Sequence, residues 1–106
     1  MKLWLDDIRD PKDHVSDPEN WTWVQNTDAA INALKKGVVT EASLDHDLGS
    51  EDTHVGYRVV CWMEEHNVWP PNGVKVHSAN PVGKQRMELV IKTAYERIRR
   101  IADELG

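Results

Sequence analysis

Three brief apolar stretches of this chain each run straight into acids, histidines or hydroxyls. Leu3-Trp4-Leu5 leads into Asp6-Asp7, Ala42-Ser43-Leu44 into Asp45-His46-Asp47, and Val74-Lys75-Val76 into His77-Ser78-Ala79-Asn80. Runs this short read as strands rather than helices. Parallel strands in an open α/β sheet deliver their C-terminal ends to one edge, where such sheets bind ligands. If the three runs are parallel neighbours, four carboxylates, two imidazoles, a hydroxyl and an amide meet in one crevice.

The rest of the chain supplies the helices between them. The first strand covers Lys2 to Leu5; Asp10-Pro11 then interrupts regular structure, and the stretch to Asn20 reads as a loop or a short helix. Trp21 to Gln25 is rich in β-formers and reads as a strand. Asn26 or Thr27 caps a helix that ends at Lys36 with Gly37 as its stop, and Ala30, Ile31 and Leu34 share one face. A strand from Val38 or Glu41 to Leu44 follows, then a loop over Leu48 to Asp52. The next helix spans Thr53 to Asn67, with Val55, Val59, Trp62, Met63 and His66 on one side, and Pro70-Pro71 and Gly73 close it. Val74 to His77 is the fourth strand. Asn80-Pro81 opens a last helix to about Glu104, whose expected buried stripe is Met87, Val90, Ile91, Ala94, Ile98, Ile101 and Leu105. Alternation of this kind implies right-handed β-α-β units, an α/β fold and a mostly parallel four-stranded sheet.

Length and charge narrow the function classes. The 106 residues fit one domain over 1–106. A formal net charge of -5 argues against broad capture of nucleic-acid backbone. A local basic pocket remains open to Arg9, Lys84 and Arg86. No apolar run is long enough to span a membrane, so no membrane partner is expected. The single cysteine, Cys61, cannot form an internal disulfide; it reads as a core residue, and a reducing, cytoplasmic setting fits. Trp4, Trp62 and Trp69 read as core or near-core; Trp21 and Trp23 share one strand face, either packing there or stacking on a base. His14, His54 and His66 read as surface residues, and no spacing matches a zinc site.

Each polar cluster has its own chemistry. Asp6-Asp7 joined by Asp45 makes a hard-oxygen set suited to Mg²⁺ or Mn²⁺. His46 and His77 titrate in the range that proton transfer near neutrality needs. Asp47 either orients His46 or caps the following turn. The helix opening at Asn80 offers N–H groups and a positive dipole end to a phosphate, with Lys84 and Arg86 in its first turns. Ser78 either bonds an anion or satisfies a nearby backbone group.

Leu3-Trp4-Leu5-Asp6-Asp7-Ile8-Arg9, Ser43-Leu44-Asp45-His46-Asp47-Leu48-Gly49, Gly56-Tyr57 and His77-Ser78-Ala79-Asn80-Pro81-Val82-Gly83 together resemble the cyclic-phosphate processing receiver-like domain family, over Leu3 to about Met87. The resemblance implies a three-layer, shortened receiver or flavodoxin-like fold and a role on cyclic phosphates, either RNA 2′,3′-cyclic phosphate ends or cyclic nucleotides. Asp6-Asp7 is similar to the metal-binding acidic pair of ordinary receivers, Asp45 to their phosphorylated aspartate, and Ser78 to their hydroxyl residue after the fourth strand. No fifth strand with its lysine is evident, and His46 and His77 are additions.

The expected function is a phosphodiesterase-type hydrolase. His46, His77 and Asp45 form the catalytic set; Arg9, Ser78, Asn80, Lys84 and Arg86 bind phosphate; Asp6, Asp7 and Asp45 bind the metal. In an alternative route an acid orients a histidine with no metal. The rival classes are a phospho-accepting receiver and a nucleotide-sensing module without turnover.

Overall fold

The computed structural model describes residues 1–45, 55–78 and 81–106. His46, Asp47, the expected loop over 48–52, Thr53, His54 and Asn80 lie outside the described residues, as does the side chain of Val55. Four strands, β1 (Lys2–Leu5), β2 (Trp21–Val24), β3 (Glu41–Leu44) and β4 (Val74–Val76), form one parallel sheet in the order β2-β1-β3-β4. Three helices follow the strands: α1 (Thr27–Lys35), α2 (Val55–His66) and α3 (Pro81–Leu105). This is the expected receiver-like α/β arrangement, and no fifth strand occurs among the described residues.

The strand order explains the layering. The chain winds one way from β1 to β2 and the other way from β2 through β3 to β4. Right-handed crossovers then place the first connection on one face and the next two on the other. Burial agrees. Leu3, Leu5, Ala42, Leu44 and Val76 share one core with Ala30 and Leu34 of α1, Val59, Val60 and Met63 of α2, and Met87 and Ile91 of α3. Each fully buried leucine there contributes about 1.5–3 kcal/mol. The alternate residues Trp4, Trp21, Trp23, Ser43 and Lys75 point to the opposite face. That face meets no α-helix from the β1–β2 connection, which forms two 3₁₀ turns, Pro11–Asp13 and Pro18–Asn20. Lys2 Nζ and Trp21 Nε1 fasten it by donating to Asp17, at 2.7 and 3.1 Å. The third layer is therefore this connection rather than a helix.

Helix boundaries follow local chemistry. Asn26 caps α1 by accepting from Ala29 N at 2.8 Å. Gly37, at φ +72°, leaves α1 through the left-handed region that glycine enters without strain. His66 is exposed, in keeping with its reading as a surface residue, and its ring stacks on Trp62 at 4.5 Å. Two other readings need correction. Cys61 is exposed rather than in the core. In α3 the stripe is buried only through Ala94, whereas Ile98, Ile101 and Leu105 are exposed. A helix of 25 residues runs about 37 Å, and strands of three or four residues about 10–13 Å. The sheet is too short to cover the whole stripe. Tyr95, which donates to Pro70 O, marks where α3 leaves the sheet.

Candidate functional site

The sheet order reverses between β1 and β3, and ligands in open α/β sheets sit beyond the strand ends at such a point. Here the residues one step past the strands form a row. Asp6 N donates to Val24 O at 3.1 Å, Asp45 N to Leu5 O at 3.0 Å, and His77 N to Leu44 O at 3.0 Å. The parallel register thus continues into the polar residues and fixes their order across the edge.

Asp6 is fully buried and shapes the turn that follows it. Its Oδ1 accepts from Ile8 N and Arg9 N, both at 2.9 Å, the self-bonding turn that aspartate favours. Three side chains hold the same turn by its carbonyls. Trp4 Nε1 donates to Arg9 O at 2.8 Å, Trp23 Nε1 to Asp6 O at 2.7 Å, and Gln25 Nε2 to Asp7 O at 3.2 Å. Trp4 and Trp23 are register partners on adjacent strands, so two indoles on one face reach the same loop.

His77 is fixed on both sides. Its Nε2 lies 3.1 Å from Asp6 Oδ2, and its Nδ1 lies 2.6 Å from Ser43 Oγ. Its ring stacks on Trp4, with centroids 3.8 Å apart and planes 6° from parallel. Burial lowers its pKa below the ordinary 6.5; the Asp6 bond opposes this, and the charges of Arg9 and His14 add to the lowering. The ring is therefore neutral near pH 7. A carboxylate only accepts, so the single ring proton sits on Nε2 and Nδ1 accepts from the Ser43 hydroxyl. The result is a chain of Asp6, His77 and Ser43 with its basic nitrogen at Nδ1.

The other wall of the site is cationic. Arg9, His14, His77, Ser78 and Lys84 line a crevice of about 410 Å³. The Arg9 guanidinium stands 3.8 Å from Asp6, which links the crevice to the acids. Arg86 is placed elsewhere: its guanidinium lies over the Tyr57 ring at 5.1 Å, and it does not line the crevice.

Asp6, Asp7 and Asp45 each offer an oxygen, and these atoms lie within 4.8 Å of one another. Three hard donors so close repel unless a cation joins them, and they fit Mg²⁺ or Mn²⁺.

The structure thus joins Asp6, Asp45 and His77 in one row, with Asp7 clustered beside Asp6 and Asp45, and Arg9, Ser78 and Lys84 in the adjoining crevice. Two residues were assigned no such place from the sequence. Ser43 is a hydroxyl in a strand whose other inner positions are apolar, and that oddity was a usable signal. His14 lies in the crevice and stacks with Trp4 at a centroid distance of 5.7 Å. Only the fold of the β1–β2 connection brings it there.

A family model described as the cyclic-phosphate processing receiver domain matches residues 1–93. No curated protein and no solved structure matches the chain.

Proposed function

We propose that this chain, which belongs to the cyclic-phosphate processing receiver domain family, opens a cyclic phosphate by hydrolysis in the crevice beside His77. One observation carries the reading. A neutral imidazole held between Asp6 and Ser43 forms the wall of a crevice whose other lining residues include the cations Arg9 and Lys84. Proton-transfer chemistry and anion recognition are adjacent.

In this reading the non-bridging oxygens of the cyclic phosphate sit against Arg9 and Lys84, with Ser78 as a further polar neighbour. Water attacks phosphorus, and its proton passes to His77 Nδ1, the nitrogen that accepts from Ser43 at rest. Asp6 stabilises the imidazolium that forms, as the acid of a histidine triad does. The bond from phosphorus to one ribose oxygen breaks, and that oxygen takes a proton from a second histidine in its imidazolium form, which is left as neutral imidazole. His14 faces the crevice and suits that role; His46 is the other candidate. The products are a phosphomonoester and a free hydroxyl. Asp6, Asp7 and Asp45 would hold Mg²⁺ or Mn²⁺, which supplies neutralisation of phosphoryl charge when bound.

A second reading is a nucleotide-sensing module without turnover. The same bonds favour it, since both ring nitrogens of His77 already have protein partners.

Purified protein incubated with 2′,3′- and 3′,5′-cyclic nucleotides, with and without Mg²⁺ or Mn²⁺ and followed by phosphorus NMR, tests both. The hydrolase reading expects a phosphomonoester that His77→Ala fails to form while keeping its far-UV circular dichroism. Thermal stabilisation by nucleotide with no new phosphorus signal establishes the sensing module instead.

A further inference from the structure

We propose that the open edge of β4 and the facing side of α3 form a docking groove for an extended acidic segment of a partner protein, which adds to the sheet as a further strand. Among the described residues β4 is an edge strand, paired with β3 alone. Ala42 N bonds Gly73 O and His77 N bonds Leu44 O, so odd-numbered residues from Gly73 to His77 direct their backbone groups toward β3. Val74 and Val76 therefore direct theirs outward. No hydrogen bond from these outward groups occurs among the described residues. An unpaired row of this kind is a template for a strand.

The space outside that edge is a groove of about 350 Å³, lined by Val74, Lys75, Val76, Lys84, Glu88, Ile91 and Lys92. The strand edge forms one wall, and one face of α3 forms the other, at positions spaced by four, three and one residues. Its chemistry selects the occupant. Val74, Val76 and Ile91 give an apolar floor for alternate side chains. Lys75, Lys84 and Lys92 outnumber Glu88, leaving a local charge of about +2 at neutral pH in a chain whose net charge is -5. The exposed Lys92–Glu96 contact, at 4.0 Å, is too weak to withdraw that lysine.

A second copy of this chain fits poorly. Antiparallel pairing of two β4 edges across a two-fold axis brings the lysines of both copies together, which destabilises the pair. Nucleic acid fits less well than peptide, because the outward backbone groups and the apolar floor have no use for a phosphate chain.

The test uses a fluorescein-labelled, end-blocked peptide of alternating glutamate and valine, read by fluorescence anisotropy against the full chain. The proposal expects saturable binding, at least about tenfold weaker binding of the lysine–valine counterpart, and a loss of at least about tenfold on combining Lys75→Glu with Lys92→Glu. Hydrogen exchange at the Val74 and Val76 amides slows when the acidic peptide is bound. Lys92→Glu alone, on an exposed helix position, gives a smaller loss and guards against misfolding of the double variant. No binding at millimolar peptide, equal affinity for both peptides, or unchanged exchange at Val74 and Val76 overturns the proposal. So does capture of a single-stranded oligonucleotide, or self-association of the chain, blocked by those same lysine substitutions.

Discussion

Ser43 Oγ lies 2.6 Å from His77 Nδ1, and this contact ties the middle of β3 to the imidazole just past β4. The hydroxyl donates to the nitrogen that carries no proton, so it stabilises the neutral ring. Ser43→Ala removes that donor and raises the His77 pKa. The expected outcome is an acid limb of the pH–rate profile displaced to higher pH, with the rate on the alkaline side lowered by less than about tenfold. NMR titration of the His77 ring reads the same shift without any substrate. An unmoved titration shows that Ser43 does not govern the protonation of His77.

His77 also couples acidity to stability. Burial, the largest cause, lowers its folded pKa below 6.5. In the unfolded chain the ring protonates as pH falls through about 6.5, while the folded ring protonates only at lower pH. Between those values the unfolded state binds more protons, so stability falls as pH drops. His77→Gln removes this component, and its melting temperature changes less with acidification over that window than the wild type does. Asp17, held down to about 2 chiefly by its bonds to Lys2 and Trp21, acts at lower pH: its contribution is present above the ordinary 3.8 and is lost as pH falls through about 2. Melting curves from pH 7 downward separate the two.

Much of this architecture is legible from pattern. The alternation of short β-rich runs with helical stripes gives the parallel sheet, and the acids after β1 and β3 mark the candidate edge because each follows directly on a buried leucine that ends its strand. Asn26 and Gly37 mark the ends of α1 because capping is local. What escapes is non-local. The stripe of α3 keeps its period to Leu105, and periodicity carries no information about where the short sheet stops supporting it. Cys61 has apolar neighbours in sequence, but its position around α2 turns it outward. Trp4 reads as core or near-core and is buried. Its indole also holds the Arg9 carbonyl and stacks on His77, a role set by the turn after β1 and by a strand two positions along the sheet.

Arg9 and Lys84 reach the same crevice from the β1 turn and the first turns of α3. If they hold the phosphate oxygens of the bound substrate, their loss weakens binding more than it slows proton transfer. Arg9→Ala and Lys84→Ala are each expected to raise KM about tenfold, the size of one hydrogen bond to a charged group, with a smaller change in kcat. The wild-type KM rises with added salt, and each variant shows a shallower rise, because screening acts on charges the variant no longer has. Steady-state kinetics over a salt series reads both effects. A fall in kcat alone places these cations outside the binding step.

Asp6 carries the largest expected consequence. Its Oδ1 secures two backbone N–H groups and its Oδ2 accepts from His77. In Asp6→Asn the amide oxygen can keep the backbone bonds, but the amide nitrogen then faces His77 Nε2, donor against donor. The ring relieves this by moving its proton to Nδ1, where it donates to Ser43. The basic nitrogen is then Nε2 rather than Nδ1, and no carboxylate remains to stabilise an imidazolium. Turnover of a cyclic phosphate should fall by at least about 100-fold, in the range that general acid–base catalysis supplies. Stability should change by only about 1 kcal/mol, because the number of hydrogen bonds is nearly kept. Nitrogen-15 NMR of the imidazole reports the tautomer directly, and thermal melting reports the fold. Wild-type turnover in a folded variant carrying its ring proton on Nδ1 would show that the Asp6–His77–Ser43 chain does not set the reactive nitrogen.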